Sequence, residues 1–321
     1  MAQSGSYDAT VTRDNLIADA HLYIGAIGEG ESPSANQVTE AARLLNMIVK
    51  LRAADGMPAW ALRRGYILPF TGASSINTDS HVVTAYDTTT LSANAAAAAT
   101  ALTVTSITGF SASDQLGIEL DDGSVDWTTV SGAPSGTTIT AATGLTSAAS
   151  SGNRVYGYTA SSERVQKPIR IIDANILNAT SNASWGIEVV DSNTYYDLGD
   201  RTSEGIPNQI YYTIEPSSLT ALETNGKIFV FPRHIDGEHI IEFTYHRPYQ
   251  DFDAAGDNPD FPQAFHLGLM LELASLIGPK FGVSIEERAA LRNEATFYRE
   301  EALKTVYPEG SLRLEPNRDF E

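Results

Sequence analysis

The sequence predicts an α+β fold: a helical bundle from the N- and C-terminal helices, a central antiparallel β domain, an inserted small all-β domain and an extended C-terminal tail. Three observations lead there. Apolar residues recur at helical spacing near both ends of the chain. Runs rich in β-branched and aromatic residues, bounded by turn residues, fill the middle. Between 86 and 160 the composition shifts to 25 Ser or Thr with a single basic residue, Arg154. The expected units are 10–62 with 262–304 (helical), 63–85 with 161–250 (central β), 86–160 (inserted β) and 305–321 (tail).

In the first helix, Leu16, Ile17, Ala20, Tyr23, Ile24 and Ile27 form a stripe of period near 3.6. Thr12 is the expected N-cap and Gly25 or Gly28 the stop. Ser34 and Gln37 then have the spacing of a capping box, in which each side chain satisfies a backbone N–H of the other residue. Behind them Val38, Ala41, Ala42, Leu45, Ile48 and Val49 share one face, predicting a second helix over 35–54 that Gly56 and Pro58 end. Residues 65–75 read as a strand or two.

The 86–160 block shows short alternating runs at Leu102–Val104, Leu116–Leu120, Val125–Trp127 and Val155–Tyr158. Asp121-Asp122-Gly123 sits between two of them and signals a hairpin, because Asp and Gly tolerate positive φ. The five alanines at 95–99 are compatible with helix or loop. Strand signals resume at 169–172, 187–190, 210–214, 227–231 and 239–245. The last two are expected to form a hairpin over Asp236-Gly237, and the acidic stretch 251–260 to be a linker.

Pro262 suits a first helical position, where its missing N–H costs nothing. Phe265, Leu267, Leu269, Met270, Leu271, Leu273, Ala274, Leu276 and Ile277 then follow, apolar almost all round. Such a helix needs burial on more than one side, which suggests a subunit interface as well as an internal core. Gly278-Pro279 should stop it. Ser284 and Glu287 form a second capping box, and Leu291, Ala295, Tyr298 and Ala302 share a face of the last helix. Beyond Val306, Pro308, Gly310 and Pro316 mark a tail ordered only by a partner.

Forty Asp and Glu against 21 Lys and Arg leave a net charge of −19 on 321 residues. That surplus argues against gripping nucleic acid through a broad basic face. With no cysteine in the chain, disulfides, zinc knuckles, iron–sulfur ligation and thiol catalysis are excluded. The longest apolar run, 265–278, is too short to span a bilayer, and the start shows no Sec-type pattern. A soluble protein without a membrane anchor is therefore expected, and no cofactor.

Catalytic constellations are weak. His234, Asp236, Glu238 and His239 cluster, but a polar hairpin turn explains them better than a metal site. Asp251, Asp253 and Gly256 match the start of a calcium loop, yet Ala255 and Pro262 stand where ligands are required. Gly132-Ala-Pro-Ser135-Gly136 reads as a β-turn and not as a nucleophile elbow. Arg43, Lys50, Arg52, Arg63 and Arg64 gather basic charge in and after the second helix, as a solvated face or a surface for an acidic partner. Candidate subunit or partner-interface residues are Arg43, Lys50, Arg52, Phe265, Leu269, Met270, Leu273, Leu312, Arg313 and Leu314.

A helix ending in Ile24-Gly-Ala-Ile-Gly-Glu-Gly-Glu-Ser-Pro-Ser34 leads to Ala41-Ala-Arg-Leu-Leu-Asn46-Met, then Asp55-Gly-Met-Pro-Ala-Trp60. This resembles the N-terminal part of head-to-tail adaptors of short-tailed bacteriophages, the packaged-DNA stabilisation or tail accessory factor group, described also with tail tubular A proteins. The stretch 164–168, Tyr195-Tyr196, Gly205-Ile-Pro207, Tyr211-Tyr212, Phe231-Pro232, Phe243-Thr-Tyr-His-Arg-Pro248 and 262–282 agree with it. The resemblance covers most of 10–85 and 160–304, and 86–160 departs from the shortest members.

The resemblance implies a virion neck protein: a ring of twelve subunits beneath the portal protein ring, assembled in the host cytoplasm, that extends the DNA channel and retains the packaged genome. It implies helices facing the portal and neighbouring copies, and β parts toward the tail nozzle or fibres. Genomic duplex DNA passes through without sequence-specific binding, and the tail embraces portal subunits. An acidic lining fits a sliding duplex, because it repels phosphates. The inserted β domain is expected on the outer rim. Two other readings compete. The 86–160 block could bind a glycan or receptor through Trp127, Tyr156 and Tyr158, which are equally good core residues. A cell-wall hydrolase would need a carboxylate pair.

Overall fold

The computed structural model describes residues 10–52, 59–165, 167–214, 226–234 and 236–306. It is a mixed α+β structure with a large sheet, and the chain divides into two compact units. One holds the chain up to Leu62 and from Tyr249 onward, and the other holds Arg63–Pro248. Five helices lie among the described residues: α1 (Arg13–Tyr23), α2 (Ala35–Arg52), α3 (Ser192–Tyr196), α4 (His266–Ile277) and α5 (Ile285–Val306).

The helices of the first unit start where local chemistry directs. Thr12 Oγ1 accepts from Asn15 N at 3.3 Å, and Gly25 turns the chain at φ +67 after α1. Ser34 N donates to Gln37 Oε1 at 2.7 Å, and Ser284 N to Glu287 Oε2 at 3.1 Å, so both capping boxes form. Pro262 departs from expectation. It precedes a 3₁₀ turn, Gln263–Phe265, that feeds into α4, so it lies outside the α-helix instead of at its first position.

The helical core draws Leu16 and Ile17 from α1, Leu45 and Val49 from α2, Leu269 and Leu273 from α4, and Leu291 and Ala295 from α5. Helix α4 packs against α1, α2 and α5. Three neighbours in its own unit cover Leu269 and Leu273, while Leu267 and Leu276 of the same helix stay exposed.

The stretch 251–260 is not a linker. Tyr249, Phe252 and Phe261 are buried in the helical core. Asn46 clamps the loop, accepting from Phe252 N at 2.9 Å and donating to Phe252 O at 3.1 Å. Asp257 Oδ2 accepts from Asp253 N at 2.7 Å and Ala254 N at 2.6 Å, while Asp257 O accepts from Arg13 N at 2.8 Å. The acidic residues close a turn here, and aromatic burial outweighs the polar composition.

In the second unit, β1 (Leu62–Ile67), β2 (Ser75–Asn77), β3 (Val82–Val83), β10 (Arg170–Asn178), β11 (Ser184–Val189), β12 (Gln209–Thr213), β13 (Lys227–Phe231) and β14 (His239–His246) build one sheet. Its order is β2-β13-β12-β11-β10-β14-β1-β3. Strands β1–β3, β10–β11, β10–β14, β12–β13 and β13–β2 pair antiparallel, and β11 runs parallel to β12. The expected β13–β14 hairpin does not form. Strand β13 lies between β12 and β2, and β14 between β10 and β1. The residues after β13 are held by burial instead: His234 is buried, with Nε2 2.7 Å from His239 O.

The 86–160 block contributes β4 (Asp87–Thr90), β5 (Ala101–Thr103), β6 (Gln115–Glu119), β7 (Val125–Thr129), β8 (Thr138–Thr140) and β9 (Arg154–Tyr158). Four of them form a sheet of order β4-β9-β6-β7, while β5 pairs with β8. Asp121-Asp122-Gly123 turns β6 into β7, with Gly123 at φ +84. The alanines 95–99 form a loop, where Ala95 exchanges backbone hydrogen bonds with Ala149.

This block has its own core around Leu102, Leu116, Ile118 and Ile139, yet belongs to the same compact unit as the large sheet. The chain leaves and returns through a paired neck, where Thr84 N donates to Glu163 O at 2.6 Å. A joint core packs Tyr156 and Tyr158 with Leu68, Val83 and Ile240. Tyr156 OH donates to Gly237 O at 2.5 Å, and Trp127 Nε1 to Pro69 O at 3.0 Å.

Candidate docking surface

Among the described residues the helical unit holds two adjoining concave surfaces. Helix α2 presents two apolar stripes. Ala41, Leu45, Ile48 and Val49 face the core, and Leu44, Met47 and Leu51, at i, i+3 and i+7, form a second row beside it. That second row borders a groove of about 500 Å³ between α2, α4 and α5, closed on the other side by Leu276, Arg292 and Thr296. Met47 is 60% exposed and Leu51 58%, far more than a core position tolerates.

A smaller cavity of about 210 Å³ shares Arg52, Glu272 and Ala295 with the groove. Its wall is aromatic. Trp60 stacks on Tyr249 with centroids 6.2 Å apart and tilts against Phe265 at 4.8 Å. Arg52 and Glu272 meet at its edge: Nη2 lies 2.6 Å from Oε1 and Nε 3.1 Å from Oε2. The pair is fork to fork, the strong geometry for a guanidinium and a carboxylate.

The sequence-derived interface residues separate into three groups. Arg43 stands exposed on α2. Lys50 pairs with Asp251 at 2.6 Å and donates to Tyr249 O at 3.2 Å, and Arg52 is held by Glu272, so both fasten the helical unit internally. Phe265, Leu269 and Leu273 are buried in the helical core, with Met270 packed half-buried against it. Phe265, Leu269 and Leu273 therefore sit as interior residues of a single copy, with Met270 at their edge. Leu312, Arg313 and Leu314 lie outside the described residues.

The exposed apolar positions of the helical unit are others: Leu22, Tyr23, Met47, Leu51, Leu267, Leu276, Ile285, Phe297 and Tyr298. For Met47 and Leu51 the signal was present as the second i, i+3, i+7 row. Phe297 stands beside Tyr298, the two rings edge to face with centroids 5.5 Å apart.

Charge at the rim is partly self-neutralised. Glu40 pairs with Lys280, whose hydrogen bond holds the Glu40 carboxyl below the usual carboxylate range. On α1, Tyr23 OH donates to Glu294 Oε2 of α5 at 3.5 Å, and that nearby negative charge raises the phenol above its ordinary value.

The second unit offers less. Asp236 Oδ1 accepts from Glu238 N and His239 N, both at 3.0 Å, and lies 2.8 Å from His239 Nδ1, so this cluster organises a loop. Among the described residues no group of three or more His, Asp or Glu is placed to hold a metal ion. Tyr156 and Tyr158 are fully buried and Trp127 is stacked on His81 at 3.8 Å, so the aromatics expected to meet a sugar are packed at the joint core. An aromatic cluster not foreseen joins Tyr195, Tyr196, Tyr211 and Phe229, with Arg201 5.1 Å over the Tyr196 ring. No described helix is long and apolar enough to cross a membrane.

No protein-family model matches the chain, and no curated protein matches it either.

Proposed function

We propose that the protein is a structural head-to-tail adaptor: a ring of copies docked below a portal ring, extending the DNA channel and giving the tail its attachment platform. One observation carries this reading. The helical unit completes its own core and still leaves the α2–α4–α5 groove, with Met47, Leu51 and Leu276 exposed. An exposed apolar row beside a groove marks a surface for association. The resemblance in 10–85 and 160–304 names the partner class, a portal ring. The net charge of −19 suits a conduit for duplex DNA that must slide.

The 86–160 block is, in this reading, a rim attachment facing capsid, fibres or nozzle. Its paired neck supports that role, because the flanking strands stay adjacent whatever is mounted between them. Electron microscopy of the purified chain mixed with a portal ring tests the proposal. Added density stacked on the portal is expected, and bare portal rings beside free protein would refute it.

A further inference from the structure

We propose that the aromatic cavity of the helical unit, as distinct from the groove beside it, receives the chain's own segment 307–321 with Leu312 and Leu314 as its anchors. That segment lies outside the described residues. The docking stands independently of the adaptor reading. Docked there, the segment is withheld from any partner until one displaces it.

The cavity suits a small apolar group. Trp60, Tyr249, Phe261 and Phe265 wall about 210 Å³, with the Tyr249 and Phe261 rings 4.8 Å apart. The wall is not sealed, because Trp60, Arg299 and Leu303 are only half-buried. Ring faces turned to a gap lack the dispersion contacts that an inserted side chain supplies. A helix about 10–12 Å across does not fit, whereas side chains from one extended stretch of chain do.

Segment 307–321 starts beside this wall. Leu303 lines the cavity and α5 ends at Val306, about 4.5 Å farther along the helix axis. From Val306 the chain reaches Leu312 across at most about 20 Å, enough to double back over Leu303 and Arg299. Tyr307-Pro308-Glu309-Gly310 has proline second and glycine fourth, the order that suits a type I reversal. Leu312 and Leu314, two residues apart, share one side of an extended chain, with Arg313 on the other. Charge is complementary. Two guanidinia, Arg52 and Arg299, line the cavity with one carboxylate, Glu272. The segment carries Glu309, Glu315, Asp319 and Glu321 against Arg313 and Arg318. A short tether gives an effective concentration of about millimolar, so a weak contact holds within one chain where a second copy in dilute solution does not compete.

Trp60 reports the contact. In the full chain, Leu312→Asp with Leu314→Asp should red-shift the tryptophan emission and raise its quenching by acrylamide. The same Asp pair placed in a Trp60→Phe chain should produce neither change. Leu312→Met with Leu314→Met should behave as the parent, since apolar residues of similar volume keep the anchors. The parent's quenching should stay constant over about a hundredfold dilution, as a contact within one chain requires. A thermal melt checks that the helical unit, whose core residues are untouched, stays folded. Emission and quenching indifferent to the Asp pair, a change that persists without Trp60, or a parent signal that follows protein concentration would each overturn the docking.

Discussion

Arg52 at the end of α2 and Glu272 in the middle of α4 form a two-pronged ion pair across 220 residues of sequence, with side chains only 19% and 17% exposed. It ties the N-terminal helices to the C-terminal ones at the edge where the aromatic cavity meets the groove.

Removing one partner leaves a mostly buried charge uncompensated. Glu272→Gln is expected to lower unfolding stability by about 3 kcal/mol, measured by urea titration. The paired change Arg52→Met with Glu272→Met should recover most of that loss, since apolar residues of similar volume often replace such a pair without penalty. A full loss in the double variant would show that the pair contributes net stability.

His81 predicts a pH dependence. Burial, then the Arg164 cation, pushes its imidazole down to about 4 from 6.5. Tyr158 OH lies 3.2 Å from its Nδ1, and His81 N donates to the same oxygen at 3.2 Å, so the neutral ring accepts the phenol proton. The unfolded chain binds the proton more readily, so stability is complete above pH 6.5 and is lost as pH falls toward 4, by about 3 kcal/mol at most. His234, His246 and His266 are lowered by burial too and act in the same direction. His81→Asn keeps the left-handed backbone (φ 54) accessible. The fall in melting midpoint between pH 7 and pH 4.5 should be smaller in this variant than in the parent.

Gly117 and Trp127 face each other across β6 and β7. A Cβ on Gly117 would sit 2.7 Å from the indole ring. Gly117→Ala should therefore cost about 1–3 kcal/mol by overpacking and loosen the Trp127 Nε1 bond to Pro69 O. A red-shifted tryptophan emission and a lower melting midpoint would report it, and Trp127→Phe in the same chain should relieve part of the strain.

Replacing 88–158 by a two-residue Gly-Asn link removes Tyr156 and Tyr158 and uncovers Leu68, Val83 and Ile240. Loss of burial should weaken the second unit by about 1.5–3 kcal/mol for each of the three side chains. Changing all three to Thr should restore solubility. Docking on a portal ring should survive in the repaired deletion. Its abolition would contradict the rim-attachment role.

Helices were the most legible part of the sequence. Their information is local: Ser34 with Gln37, Ser284 with Glu287 and a 3.6-residue stripe set their starts and buried faces. Strand positions were legible as well, with β13 falling where its β-branched and aromatic run lies. Strand partners were not, because pairing is a long-range choice: Val230 opposes Ile210 and Phe243 opposes Ala174, and Asp236-Gly237 could not reveal that both edges of β13 were taken. The 251–260 loop was misjudged on its acids, when Tyr249, Phe252 and Phe261 in and beside it were the residues that decided its place.

Of the candidate surface, α2 was legible but its division of labour was not. Lys50 and Arg52 look like partner-seeking cations until Asp251 and Glu272 are brought to them by the fold. Leu269 and Leu273 look like interface residues until α1, α2 and α5 surround them. The exposed Met47 and Leu51 are legible only once the first apolar stripe of α2 is known to be filled.

Assembly of copies of this chain on a portal is the step on which the proposed role stands. Electron microscopy of the purified chain incubated with a portal ring measures it most directly. An annular layer is expected, twelvefold in the resemblance, continuous with the portal channel and wide enough for duplex DNA. Portal rings without added density, beside solitary particles of about 34.5 kDa, would contradict it.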